Sequence, residues 1–440
     1  MLGSNLPPPP ARVAGEAIRL KYSGVLSMNT SRFISLAAIA LLPALVNGIL
    51  APYPLNGQTL MSPTAPSGAV GILGTDSAVL EIREPRADLP CSATPGKPVL
   101  GFDLRLHSGY EVSLPLKELA GDGNRLTIIF RVFPVGKEDE PVYFSQRVRV
   151  PPIEADARGD AYFEGAFDLG EGKYHVDWLM RDHAERVCSS YWDIDAVLGP
   201  RDKEVPLIIS PGTIDQSVSE IFRGEPTVIR SQDQPLSVKV LMNFAPQNPH
   251  AVSLQPFDTN ALISILRAIT REPHITRFSL VAFNLQEQRV LYRQEDAEQI
   301  DFPALGEALD TLNLGTIDLK RLSQKNGEAQ FLTELIRKET EGQKQPDALI
   351  FAGPKALIEE GINQEELAGF GTLGYPVFYM NYNRNPQAIP WRDAIGHAVK
   401  FLKGTEFAIA KPRDLWNAMS EMVTRILRSK SERQTAAAVR

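Results

Sequence analysis

Cysteine is the scarcest chemistry-bearing residue of this chain, with only Cys91 and Cys188 among 440 residues. Two thiols exclude a disulfide-dense small scaffold and any zinc centre made of four cysteines. Positive charge is short as well: 46 Lys and Arg stand against 53 Asp and Glu, a formal net charge of −7 with no long basic block. The clustered basic face on which nucleic-acid binding rests is therefore missing. Long apolar runs are also wanting. The best one, residues 33–46, is short and interrupted by Pro43, whereas a membrane-spanning helix takes about 20 apolar residues. Gly-x-Ser-x-Gly, a phosphate-binding Gly-x-x-x-x-Gly-Lys loop and His-Glu-x-x-His do not occur, which removes the usual sequence marks of serine hydrolases, nucleotide hydrolases and zinc proteases. Two carboxylates for glycoside hydrolysis need no fixed spacing, and nothing here singles out a pair.

What is present reads as globular. With 43% hydrophobic and 22% charged residues, the chain is long enough for about two or three domains, each with its own core. Met28-Asn-Thr-Ser-Arg32 followed by the apolar run 33–46 and small residues at 46–48 has the layout of a secretory signal peptide, with an uncleaved membrane anchor as the alternative. Residues 28–48 are expected to be that signal, and 1–27 an upstream extension carrying the Pro7 to Pro10 tract, with Met28 as the start. Export would place Cys91 and Cys188 in an oxidising compartment, where they either pair or remain as two buried thiols.

Residues 49–96, rich in Pro, Ser, Gly and Ala, are expected to be linker. From 97 to 195 the hydropathy alternates with period two, as in 126–132 and 142–150, the pattern of a β-sandwich. In 172–181, Tyr174, Val176, Trp178 and Met180 point to one side and His175, Asp177 and Arg181 to the other, which predicts one core face and one wet face. Asp168-Leu-Gly-Glu-Gly-Lys-Tyr174 resembles the tyrosine corner of immunoglobulin-like sandwiches, in which the tyrosine hydroxyl ties back to an upstream backbone group. Residues 196–235 read as a connector with a strand at 205–210 and a short helix near 215–222.

From 236 to 428 apolar strand candidates at 238–244, 277–284, 289–293, 348–352, 377–381 and 407–410 alternate with amphipathic helical stripes, among them Leu262, Ile265, Leu266 and Ile269. Such alternation implies a mostly parallel sheet covered on both faces. Residues 429–440 are expected to be a disordered tail. On the apolar strand Val238-Lys-Val-Leu-Met-Asn243 and the loop after it, this region resembles a von Willebrand factor type A (vWA) domain, a Rossmann-like fold. The resemblance implies a fold class of α/β plus all-β: an N-terminal immunoglobulin-like sandwich followed by a vWA-like three-layer α/β domain.

In the vWA family a metal is held by Asp-x-Ser-x-Ser after the first strand, a later Thr and a further Asp. Here Asn243-Phe-Ala245-Pro-Gln247 stands at the first loop, Gly315-Thr316 keeps the Thr, and Gly353 stands in place of the second Asp. Neutral amides poorly offset the dehydration of Mg²⁺, so no metal and no cofactor is expected. The candidate ligand rim at the carboxyl edge of this sheet is Asn243, Gln247, Thr316, Asn381 and Asn383, where ligands of open α/β sheets bind; the alternative is that these Asn residues fill turn positions. His175, Asp177, Asp182 and His183 form a second cluster, read either as a metal or acid–base site or as a solvated strand face.

The stretches Phe167-Asp-Leu-Gly-Glu-Gly-Lys-Tyr-His-Val-Asp-Trp178, Arg186-Val-Cys-Ser-Ser-Tyr-Trp192 and Ile389-Pro-Trp-Arg-Asp-Ala-Ile395 resemble a group of secreted, uncharacterised bacterial proteins of acidobacterial type that join a β-rich segment to a vWA-related domain. The expectation is an exported, periplasmic or extracellular binding or scaffold protein with a protein partner, no nucleic acid, and no membrane contact beyond an uncleaved signal segment. The alternatives are an exported hydrolase with an interdomain site and a periplasmic small-molecule binder.

Overall fold

The computed structural model describes residues 58–61, 72–217, 220–248, 251, 253–312, 314, 327–341, 345–356, 373–387 and 392–438. The expected signal segment 28–48 and the extension before it lie outside the described residues, as does Thr316. Contacts divide the chain into a first unit, residues 1–99, 106–197 and 209–217, and a second, residues 100–105, 198–208 and 218–440. No helix among the described residues is long and apolar enough to cross a membrane.

The first unit is a β-sandwich. Strands β1 (Thr59–Leu60), β4 (Asn124–Pro134), β5 (Val142–Val150), β7 (Gly172–Arg181) and β8 (Val187–Ala196) form one sheet in the order β1-β5-β4-β7-β8. Strands β2 (Ser92–Leu100), β3 (Leu106–Pro115), β6 (Asp160–Leu169) and β9 (Ile214–Gln216) form the other in the order β2-β3-β6-β9. Alternation carries every second side chain inward, and the inward rings of the two sheets meet. Phe130 stacks on Phe144 and packs at 5.6 Å from Phe167 of the opposite sheet, while Tyr110 meets Phe130 and Trp178 edge-on. Gly165 makes room for Tyr110, whose ring would lie 2.3 Å from any Cβ there. At the corner before β7, the Tyr174 hydroxyl donates to Gly170 O at 2.8 Å.

The second unit holds a six-stranded sheet in the order β12-β11-β10-β13-β14-β15. Its strands are β10 (Leu236–Asn243), β11 (Ile275–Asn284), β12 (Arg289–Ala297), β13 (Ala348–Pro354), β14 (Val377–Tyr382) and β15 (Thr405–Ile409). Pairing is parallel except at the β11–β12 edge, a hairpin. Side chains of β10 divide between two cores. Val238, Val240 and Met242 pack with α2 (Pro256–Arg271), α3 (Phe302–Leu309) and the long α6 (Pro412–Ala438), whose Leu415, Met419, Met422 and Ile426 face inward. Leu241 packs with Leu332, Leu335 and Ile336 of α4 (Gly327–Thr340) and with Ile395 and Val399 of α5 (Ala394–Phe401).

The expected fold class, an immunoglobulin-like sandwich followed by a vWA-like, Rossmann-like three-layer α/β domain, is corrected by these pairings. Over its described residues the chain is a mostly antiparallel β protein, with 15 strands in three sheets and six α-helices, and parallel pairing is confined to one sheet. Strand content is higher than expected because stretches read as linker and connector join the sheets. Residues 59–60 pair with β5 and 214–216 with β6; the strand expected at 205–210 does not form, and β9 occupies the start of the helix expected near 215–222. Within the supposed linker, α1 (Gly74–Ile82) lays Val79 and Leu80 on Ile129, Leu179 and Val187. The tail is likewise not disordered from 429: α6 runs to Ala438, because Lys430 and Arg433 both pair with Asp347.

Candidate functional site

The parallel strands of the second unit end in a row of amides. Gly353, at φ 143°, lets β13 press against β10, since a Cβ there would stand 2.7 Å from Asn243 O. In the next pairing Gly353 lies opposite Asn381. Asn243, Gly353 and Asn381 therefore cross three adjacent strands side by side. Asn243 is buried and its Oδ1 accepts from Leu285 N at 3.2 Å. Gln247 spans to the end of β14, its Nε2 donating to Tyr382 O and its Oε1 accepting from Arg384 N, both at 3.4 Å. Asn383 closes a turn, accepting from Asn385 N at 3.1 Å. Asn381 Nδ2 donates to Glu406 Oε1 at 2.7 Å, but Asn381 Oδ1 is buried with no hydrogen-bond partner among the described residues. The structure thus joins Asn243 and Asn381 through Gly353, attaches Gln247 to the same edge, gives Asn383 a turn role, and does not describe Thr316.

Carboxylates flank this row, each closed by its own chain. Asp258 at the start of α2 accepts from Tyr382 Oη at 3.3 Å. Burial pushes the Asp258 carboxyl above its ordinary value, and burial together with Asp258 pushes the Tyr382 phenol up. Asp393 caps α5, accepting from Gly396 N at 2.9 Å, and also takes Ala356 N at 2.6 Å and Tyr379 Oη at 3.0 Å. Burial raises the Asp393 carboxyl despite these donors. Glu406 bridges Asn381 and Arg392. Sequence reading missed Asp258, Tyr379 and Asp393. Asp393 carried a readable signal, an Asp just before an apolar helical stripe; Tyr379 looked like any other strand residue. Among the described residues no group of three or more His, Cys, Asp or Glu is arranged to hold a metal ion.

In the histidine cluster of the first unit, burial departs from the expected solvated strand face, while Asp182 does hold a charged turn. Asp177 was expected on a wet face, yet it is fully buried beneath α1. Its Oδ2 lies 2.6 Å from Arg131 Nε, and its Oδ1 lies 3.2 Å from Arg83 Nε and 3.0 Å from His175 Nε2. His175 Nδ1 lies 2.6 Å from Asp193. Asp182 and His183 do not join them: Asp182 holds a turn through Ala184 N, Arg186 N and the Arg186 guanidinium, and His183 pairs with Asn124. Cys91 and Cys188 are joined in a disulfide, with Cα atoms 6.2 Å apart.

No family model matches the chain, and no curated protein matches it. Among solved structures it is similar to a glycosyl hydrolase family 2 member from Bacteroides cellulosilyticus DSM 14838, at 12% identity over 72% of this chain and 38% of that one with a TM-score of 0.18. It is also similar to a Bacteroides uniformis β-glucuronidase, at 12% identity over 71% of this chain and 38% of that one with a TM-score of 0.16. The chain spans well under half the length of either enzyme, and similarity at these scores carries no argument about activity.

Proposed function

We propose that the protein is an exported, non-catalytic binding protein that docks a protein partner without a cation, through the amide row at the carboxyl edge of its six-stranded sheet. The observation that carries this reading is Asn381 Oδ1, a buried acceptor at the β14 end of that row with no hydrogen-bond partner among the described residues. An unsatisfied buried acceptor costs about 1–3 kcal/mol, a cost that a donated hydrogen bond from a docked group offsets. Asn381 is only 1% exposed, so the proposed docking requires the edge to open before a main-chain N–H of an extended segment reaches its Oδ1. Each neighbouring carboxylate is already closed by its own tyrosine, amide or arginine, which supports recognition over acid–base chemistry. The Cys91–Cys188 bond supports an oxidising, exported setting.

The test is binding of the full chain to an immobilised peptide array in the presence of chelator, comparing wild type with Asn381→Leu. Saturable binding that resists EDTA and is lost in the variant is expected. Binding that needs Mg²⁺, that survives in Asn381→Leu, or that is replaced by turnover of ester, glycoside or peptide substrates overturns the proposal.

A further inference from the structure

Residues 72–91 of the first unit, within the stretch expected to be mostly linker apart from a short apolar run at 79–82, form a strap. The chain passes along α1 over the outer face of the five-stranded sheet, follows β8 through the pairs Ser189 N to Arg86 O and Leu89 N to Val187 O, and reaches Cys91 at the point where it enters β2 of the other sheet. Little apolar surface seats the helical part. Val79 and Leu80 are its buried apolar side chains, against Ile129, Leu179 and Val187. A helix of 9 residues has almost no stability of its own. Ionic and polar ties hold the remainder: Asp76 with Arg181 at 3.2 Å, Arg83 with Asp177 at 3.2 Å, Arg131 Nη2 to Leu80 O at 3.1 Å and Tyr191 Oη to Val79 O at 2.7 Å. Arg83 itself ends α1 in the left-handed region at φ 58°, a conformation disfavoured for arginine.

The strap is thus a segment of few apolar contacts, on charges that water solvates well once they separate, closed at its far end by one covalent bond. We infer that this strap is a redox-gated cover: thiol–disulfide exchange at Cys91–Cys188 decides whether α1 stays on the sheet. On closing, the two thiols give up two electrons and two protons to the disulfide of an exchange partner, which leaves as a dithiol. Opening by a dithiol reverses the same balance. The bond fixes the register of residues 86–89 on β8, so α1, a few residues upstream, is presented to its seat at high effective concentration. Without it, residues 72–91 form a locally opening unit of low stability, and their release uncovers Ile129, Leu179 and Val187 together with Asp177. The core of the sandwich does not depend on the bond, because Phe130, Phe144, Phe167 and Trp178 pack between the sheets on the other face.

Hydrogen exchange of the full chain, oxidised, reduced with dithiothreitol, and as the Cys91→Ser/Cys188→Ser variant, tests this. Exchange in 74–82 is expected to be at least about tenfold faster in the reduced protein and in the variant, with trypsin cutting after Arg83 and Arg86, while β4 and β7 keep their protection. Leu80→Asp in the oxidised protein is expected to loosen α1 alone. Equal protection of 74–82 with and without the bond overturns the inference. So does a matching loss of protection in β4 and β7, which would make the disulfide a general staple of the sandwich and not a gate.

Discussion

In the sandwich, the buried carboxylates Asp177 and Asp76 lie against arginines from neighbouring strands or from the strap, Asp177 against Arg131 and Arg83 and Asp76 against Arg181. Their charge is met even though Asp177 Oδ1 and Asp76 Oδ2 make no hydrogen bond among the described residues. At the carboxyl edge of the six-stranded sheet the neutral amides Asn243 and Asn381 flank Gly353, and Asn381 Oδ1 has no hydrogen-bond partner among the described residues. A buried charge whose partners are removed is expensive, so a closed ionic cluster fixes structure. A neutral acceptor without a partner is tolerable, and it leaves a place where an incoming donor gains free energy. The same kinds of polar residue therefore serve folding in one unit and, on the proposed function, recognition in the other.

Asp177 should show the largest effect. Asp177→Ala leaves Arg131 and Arg83 facing the same apolar seat, and a loss of about 3–5 kcal/mol in urea unfolding is expected; a loss under about 1 kcal/mol would mean that water already screens the cluster. Gly353→Ala comes next. With φ at 143° and a Cβ 2.7 Å from Asn243 O, it should cost about 3 kcal/mol and disturb binding by parting β10 from β13. Glu339→Gln should cost about 2 kcal/mol. Burial raises the Glu339 carboxyl, but Arg293 and Lys239 outweigh it and hold its pKa below the ordinary carboxylate value. Its contribution is fully present above the unfolded-state pKa and is lost as pH falls through the lowered folded-state one. Urea titrations across the acid range should show that slope in wild type and lose it in Glu339→Gln. Asn381→Leu is expected to have the smallest effect on stability, under about 1 kcal/mol, while abolishing partner binding. A large stability loss there would place Asn381 with the structural residues and erase the contrast between the units.

Much of the second unit could be read along the chain because its strands are buried on both faces. Runs such as Val240, Leu241 and Met242 are apolar without interruption, and β10 to β15 begin and end within a few residues of the stretches expected. The class assigned to the whole was not readable in the same way, since it rested on a resemblance of one loop and undercounted antiparallel strands. The strap escaped for a different reason. The wider stretch 49–96 is rich in Pro, Ser and Gly, which suits a linker, and only tertiary contacts with Leu179 and Asp177 turn 74–82 into a covered helix. For the same reason His175 and Asp177 carried no sign of burial: the period-two pattern says which face a residue takes but not what covers that face. At the amide row, the residues were legible as Asn and Gln after strands, yet which of them lacks a partner depends on Glu406 and Gly353, residues distant in sequence.

The carboxyl edge of the six-stranded sheet is proposed to recognise its partner without a cation. Thermal unfolding of the full chain titrated with Mg²⁺ and Mn²⁺, against a chelator control, tests it directly. The account predicts one melting temperature throughout. A saturable rise with either ion that disappears in Asn243→Ala and Thr316→Ala would contradict it.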